Sequence, residues 1–389
     1  MSFLNYRDDI LYAEDVPCDI IAAHHGTPCH IISKNTIIHN WLALKEAFGT
    51  RSHLICYAVK ANSTLAILRL LAEQGSGFDI VSVGELERVL AAGGDPRKVI
   101  FSGVGKQAHE IQRAIELDIL YFNVESLPEL QTINNMAKSL NKRASISIRV
   151  NPNIDAKTHP YISTGLLENK FGIPFDEAEQ AYLTASNMSH LSITGIDCHI
   201  GSQIKSLTPF IEATKQLNQL IKSLSHHGIN LSHVDLGGGL GIDYSDPADD
   251  APTPSPHDYI QALKDTIELK KATIIIEPGR SIVGNAGALL TEVICIKPGK
   301  DRHFAIVDAA MNDLIRPALY QGWHDIWQCH QGHSAHKKAY DIVGPVCESA
   351  DFLGRNRLLS ISPQSLLAIC HTGAYVSCMA SNYNSRPRL

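Results

Sequence analysis

The chain has no run of about 18 consecutive apolar residues, the length a membrane-spanning helix needs. Its start, Met1-Ser2-Phe3-Leu4-Asn5-Tyr6-Arg7-Asp8-Asp9, has no basic segment followed by an apolar stretch, so no secretory signal is expected. It lacks a cationic surplus: 34 Lys and Arg stand against 40 Asp and Glu, a net charge of −6. Non-specific nucleic-acid binding and anchoring to anionic membranes both need the opposite sign, so neither partner is expected. There is no CxxC pair. The nine cysteines, an odd number scattered from Cys18 to Cys378, read as reduced thiols in a cytoplasmic protein, not as a disulfide framework. There is no internal repeat. With 44% apolar and 19% charged residues, disorder, collagen and coiled coil are excluded.

What is present is enough chain for two or three domains, at roughly 100–200 residues each. Short apolar runs alternate with amphipathic stretches. Leu54–Val59, Phe78–Val81, Val99–Phe101, Leu120–Phe122, Ser145–Val150, Ile193–Cys198, Val234–Leu236 and Ile274–Ile276 read as strands, with helical spacing between them. Strand–helix alternation implies a parallel sheet. Eight such units suit an α/β fold of the (β/α)8 barrel type, with an open doubly wound sheet as the rival. After Gly279 the texture changes. Val283–Ile296, Phe304–Val307, Tyr340–Val343 and Leu366–Ile369 read as strands of a mostly antiparallel β domain, to which Pro28–Ile32 adds another. The expected division is a barrel over 35–280 and a β domain from 1–34 and 281–389. Asp246–Pro256, rich in proline and acid, reads as a solvated loop.

In a parallel barrel the chemistry sits at the C-terminal ends of the strands. There the sequence offers Lys60, then His199-Ile200-Gly201-Ser202, then Gly237-Gly238-Gly239, then Glu277-Pro278-Gly279-Arg280. Each has a bland reading, as a surface lysine, a structural histidine or a turn. The apolar run around Lys60 favours the free amine that Schiff-base chemistry requires. Three successive glycines cost backbone entropy and let N–H groups close on an anion. They do not match GxGxxG, and Gly103-Val104-Gly105-Lys106 lacks the Walker spacing, so nucleotide-binding motifs are rejected. Together the four groups fit a phosphate-bearing aldehyde cofactor. The lysine bonds it, the glycines, Ser202 and Arg280 hold the phosphate, the histidine stacks, and the carboxylate keeps a pyridine nitrogen protonated.

Tyr57-Ala58-Val59-Lys60-Ala61-Asn62 resembles the cofactor-lysine motif of the alanine-racemase-fold (group IV) PLP-dependent decarboxylases. His199-Ile200-Gly201-Ser202-Gln203, Asp235–Gly239 and Glu277–Arg280 resemble its other barrel motifs in the same order. Thr158–Gly165, Asn169–Gly172, Met311–Tyr320, Cys347–Asp351 and Met379–Arg388 narrow the resemblance to the diaminopimelate decarboxylase branch, over nearly the whole chain. The resemblance implies pyridoxal 5'-phosphate on Lys60, with His199 stacked on the ring and Glu277 facing its nitrogen. It implies Ser202, Gly237, Gly238, Gly239, Gly279 and Arg280 around the phosphate, with Tyr375 near the cofactor. Arg280, Arg316, Tyr320, Glu348 and Tyr375 would contact substrate, and Cys347 would donate the proton. It further implies a head-to-tail homodimer in which Cys347 and Glu348 reach the partner's active site, and conversion of meso-diaminopimelate to L-lysine and CO2. A zwitterionic far end requires a cation and an anion, for which Arg316 and Glu348 are suited. A polyamine-pathway decarboxylase would have little use for Arg316, and a racemase would need a second base. A PLP-binding protein without turnover remains the reading from another class.

Asp197 stands where such proteins commonly have His, Ala310 where they have Gly, and Val376-Ser377-Cys378 differs from their usual sequence. The chain stops at Leu389, where relatives usually continue, which places dimer geometry in question. Cys329, His330, His333 and His336 have a metal-like spacing but lie among Gly, Ser and Gln, so a solvated loop is expected and no metal is assigned.

Overall fold

The computed structural model describes residues 3–156, 159, 162, 164–166, 168–249, 251–300, 302–331 and 337–389. Most of the Thr158–Pro160–Ser163 stretch and the Gly332–His336 part of the histidine-rich segment therefore lie outside the described residues. The chain divides into two compact units, one from 38–241 and 252–279, the other from 1–37, 242–251 and 280–389.

The first unit is a closed ring. His53–Ala58 pairs with Gly77–Ile80, and the order continues through Val99–Phe101, Tyr121–Val124, Ala144–Asn151, Leu191–Asp197, His233–Asp235 and Thr273–Ile276 back to His53–Ala58. Every pairing is parallel and the strand order closes on itself, so the barrel and not the open sheet is observed. Strands buried on both faces explain why the sequence shows apolar runs here instead of alternation. Tyr57, Phe78, Phe101, Tyr121 and Phe122 are fully buried. Several intervening helices begin on a serine cap: Ser82, Ser126 and Ser255 accept from the N–H groups of Glu85, Glu129 and Asp258 at 3.2, 3.4 and 3.1 Å. Each cap satisfies an orphan helical donor and fixes where its helix starts.

The second unit is a seven-stranded sheet in the order Ile326–Gln328, Leu366–Cys370, Gly287–Pro298, His303–Val307, Lys338–Val343, Phe352–Leu359, with Cys29–Ile32 also on Gly287–Pro298. It is antiparallel except for His303–Val307 against Lys338–Val343. The N-terminal strand expected from Pro28–Ile32 is thus in place. A separate antiparallel sheet is built from Leu4–Arg7, Ile10–Ala13 and Val16–Pro17. Leu289, Val293, Val307, Leu314, Ile342, Leu353, Leu367 and Ile369 form the main core. The strand expected from Val283 starts later: Arg280–Val283 is a helical turn followed by a 3-10 turn over Gly284–Ala286. A Cβ on Gly284 would lie 2.6 Å from Ile242 Cδ1, so that turn is packed too closely for a side chain. Ile242 belongs to 242–251, which groups with this unit. Its anchor is the buried ring of Tyr244.

Candidate active site

Within the barrel, Lys60 lies in the 3-10 turn Val59–Ala61 directly after His53–Ala58. His199, Gly237 and Glu277 follow the ends of Leu191–Asp197, His233–Asp235 and Thr273–Ile276. The barrel's own geometry therefore sets these groups at strand ends. Lys60 Nζ donates to Asp79 Oδ2 at 2.7 Å, with the Asp79 side chain wholly buried and Lys60 one-third exposed. The amine thus sits in an ion pair, not in the apolar surround its neighbours suggest.

The glycines meet the floor of the site closely. A Cβ would come within 2.7 Å of His199 Nδ1 at Gly237, 2.3 Å of the Glu277 carbonyl oxygen at Gly238, and 2.6 Å of the Gly201 carbonyl oxygen at Gly239. Gly237 and Gly239 also have φ of +62° and +112°. Two of their amides are already committed: Gly237 N–H donates to Asp235 Oδ1 at 3.0 Å and Gly238 N–H to His199 Nδ1 at 3.1 Å. For these two, close approach is the service the glycines give, more than a free donor. A Cβ on Gly279 would lie 2.8 Å from Ala61 Cβ, which ties this glycine to the Lys60 turn. Ser202 lies half-buried in the segment after His199.

Because Nδ1 of His199 accepts, the ring is neutral. Burial, with Arg149 and Lys60 nearby, pushes its pKa well below the usual histidine value. Its 3.9 Å approach to Glu277 Oε2 is therefore not an ion pair. Glu277 Oε1 accepts from Asn123 Nδ2 at 3.2 Å. Asp197, Asp235 and Glu277 have carboxyl oxygens within 4.8 Å of one another, all buried. Burial first, then mutual repulsion, holds Asp197 and Glu277 well above the carboxylate range and Asp235 at about 8. Protons thus relieve the crowding. Tyr121 OH donates to Asp235 Oδ2 at 2.8 Å, and Arg149, paired to Glu125 at 2.9 Å, lies 3.9 Å from Asp197. Asp197, which stands apart from the resemblance in sequence, is a member of this proton-holding group.

In the other unit, Arg280 Nη1 donates to Tyr244 OH at 2.6 Å, and its guanidinium lies 4.7 Å from the centre of the Tyr375 ring. Tyr375 holds a left-handed φ of +56°. Arg316 opens the short helix Arg316–Tyr320, is buried, and has its guanidinium 4.2 Å above Tyr244. Among the described residues no carboxylate lies within ion-pair distance of Arg316, and its Nε has no hydrogen-bond partner. Tyr320 is half-buried, and burial dominates a lowered pKa at Arg316. Cys347 and Glu348 are exposed. Cys347 N–H donates to Asn384 Oδ1 at 2.8 Å, and Tyr383 OH donates to the Cys347 carbonyl at 3.3 Å, so the Tyr383–Ser385 turn pins this loop. Asp351 joins it to the preceding motif, accepting from Met311 N–H at 2.6 Å and Val346 N–H at 3.0 Å.

Several of these residues escape a motif reading. Asp79, Asn123 and Arg149 are polar residues inside apolar strands, which is itself a signal, because a buried polar side chain demands partners. Tyr244 carries no such signal, since its contacts join distant parts of the chain.

The residues present fit pyridoxal phosphate. A primary amine at a strand end, a buried carboxyl that holds a proton it can pass to a pyridine nitrogen, and a backbone cradle too tight for side chains fit it. Residues 34–284 match the model of the pyridoxal-dependent decarboxylase family, pyridoxal binding domain. The chain is 54% identical over 393 residues to diaminopimelate decarboxylase from Vibrio cholerae, covering 100% of this chain and 93% of that one. It is 51% identical to the Haemophilus influenzae protein of the same name, again over 100% and 93%. Diaminopimelate decarboxylase from Helicobacter pylori, solved with L-lysine, superposes with a TM-score of 0.91 at 47% identity, over 96% of this chain and 92% of that one. On this footing the chain belongs to the diaminopimelate decarboxylase family of pyridoxal-dependent decarboxylases.

Proposed function

We propose that this chain removes CO2 from meso-2,6-diaminopimelate and releases L-lysine, working in the cytoplasm as a homodimer. The observation that carries the substrate is Arg316, a buried guanidinium with no acid partner among the described residues. A buried cation left unpaired is costly, and an anionic ligand offsets that cost. The distal carboxylate of diaminopimelate is such an anion, and a polyamine precursor has none. Relatives solved with L-lysine support the same choice.

When bound, pyridoxal phosphate supplies the electron sink for the pair left by the departing carboxylate. Lys60 holds the cofactor through its amine, and Asp79 orients that amine. Glu277 would pass the proton it holds to the ring nitrogen and stay beside it as the carboxylate that balances the pyridinium charge, with Asp197 and Asp235 next to it. His199 covers the ring. Ser202, Gly237, Gly238, Gly239, Gly279 and Arg280 receive the phosphate, and Tyr375 lines it. Arg316 and Tyr320 take the distal carboxylate, while Glu348 takes the distal ammonium. Cys347 delivers a proton to the carbon that lost CO2. The exposure of Cys347 and Glu348 supports a role in the partner's site. The nine free cysteines suit a reducing compartment.

The test is CO2 and L-lysine release by purified protein with pyridoxal phosphate and meso-diaminopimelate, with L-ornithine and L-arginine as controls. Lysine from diaminopimelate and no product from the controls is expected. Turnover of ornithine or arginine instead would transfer the assignment to polyamine chemistry.

A further inference from the structure

Arg316 is held by a chain of contacts that reaches across its unit. His324 is completely buried. Its Nδ1 lies 2.7 Å from the Cys370 carbonyl oxygen, which can only accept, so Nδ1 carries the proton. Nε2 is then the acceptor, and it receives Arg316 Nη1–H at 2.7 Å. The carbonyl of His324 accepts from Arg357 Nη2 at 2.9 Å, which fixes the backbone that bears the ring. Tyr244 lies edge-on to the His324 ring, centroids 5.4 Å apart and planes at 79°, and beneath the guanidiniums of both Arg316 and Arg280, at 4.2 and 5.8 Å. A neutral imidazole is one of few buried groups that can orient a guanidinium without neutralising it. A carboxylate in the same place would bind Arg316 and cancel its charge.

We propose that His324 and Tyr244 are positioning residues that aim the uncancelled charge of Arg316 at the distal carboxylate, and so set the discrimination between ligands with and without that carboxylate. This rests on the reading of Arg316 given above. The charged groups that bear on the ring agree with a neutral imidazole: Arg316 and Arg280 are cations, and His371 and Tyr244 bring no negative charge, while Asp325, the next residue, accepts from Trp323 Nε1. Burial first, then Arg316, pushes the His324 pKa well below its usual value.

L-Lysine keeps the distal carboxylate and ammonium of the substrate, while 1,5-diaminopentane lacks the carboxylate. Their affinities for the holoenzyme, measured by calorimetry, isolate the contact without turnover. His324→Gln keeps an acceptor near the Nε2 position. His324→Asn keeps a donor near Nδ1 but cannot reach Arg316. We expect His324→Asn to weaken L-lysine roughly ten- to hundredfold, the range for a lost hydrogen bond to a charged group, with diaminopentane unchanged within about twofold. His324→Gln stays within about threefold of wild type for both ligands. Wild-type affinity for L-lysine in His324→Asn, or equal losses for the two ligands, would overturn the proposal. Arg316→Met separates the two levels. If it leaves L-lysine binding intact, the substrate reading itself fails. If it weakens L-lysine while His324→Asn does not, only the positioning role fails. Should His324→Asn not fold, Tyr244→Leu takes its place. It removes the ring beneath Arg316, and unchanged L-lysine affinity there overturns the proposal equally.

Discussion

Replacing Asp235 by Asn should make the barrel's stability less sensitive to rising pH between about 4 and 8. Asp235 is wholly buried and protonates at about 8, against an ordinary 3.8. Between those values the folded protein holds a proton that the unfolded chain has released. Stability conferred by that proton is full below about pH 3.8 and is lost as pH rises through about 8. The slope is about 1.4 kcal/mol per pH unit for one proton, so raising pH from about 5.5 to about 7.5 costs about 3 kcal/mol. For a unit of this size that is a fall in Tm of roughly 5 to 10 °C. Asn keeps the acceptor for Gly237 N–H, and the Tyr121 hydroxyl can turn to accept from its amide. It also removes one of three mutually repelling carboxyls, so Asp197 and Glu277 no longer compete with it for a proton. Differential scanning calorimetry of cofactor-free wild type and Asp235→Asn, at matched scan rates across that range, should show the wild-type Tm falling and the variant's falling less. Parallel curves would refute the claim that a proton is stored among these acids.

Gly238→Ala should lower barrel stability by about 1–3 kcal/mol, because its Cβ meets the unyielding Glu277 carbonyl. Cofactor should then be lost on dialysis, whereas Gly84→Ala, whose nearest neighbour is 3.7 Å away, should keep it. Asp79→Asn should cut kcat/KM at least tenfold, roughly the 1.4 kcal/mol equivalent of one weakened charged contact, without unfolding the barrel. An unchanged pH–rate profile would remove Asp79 from the account of Lys60. Cys347→Ala should lower kcat by about two orders of magnitude, the range for a lost general acid. The exposure of Cys347 predicts an unaltered Tm, and wild-type kcat would return the proton donor to the list of unknowns.

All eight barrel strands were legible, because parallel strands buried on both faces announce themselves as apolar runs. Edge strands were less so. Phe352–Leu359 is interrupted by Arg355, Asn356 and Arg357, and a register shift in its pairing leaves no clean alternation. The Leu4–Arg7 and Ile10–Ala13 hairpin turns on Asp8 and Asp9, both at positive φ, without the glycine that usually marks such a turn. In the candidate site, the residues to which chemistry is assigned could be picked out because they sit in short contiguous motifs. The residues that set their state were not, because Asp79–Lys60, Asn123–Glu277 and Tyr121–Asp235 are contacts between neighbouring or facing strands. Sequence order carries the first kind of information, and only closure of the ring supplies the second.

The division of the chain has a temporal consequence. The path leaves one unit for the other at 37/38, 241/242, 251/252 and 279/280, so neither unit is a single stretch of polypeptide. During synthesis, the strand Cys29–Ile32 emerges early and then waits for Gly287–Leu290, its partner, until most of the chain has been made. A pairing of such separation is slow to form, and the unsatisfied edge of Cys29–Ile32 is exposed for the whole interval. The barrel has all its strands once residue 276 has left the ribosome, so it is the unit able to mature first. Arrested nascent chains should therefore become protease-resistant in the barrel well before the β unit, and no fragment cut at one point can reproduce either half.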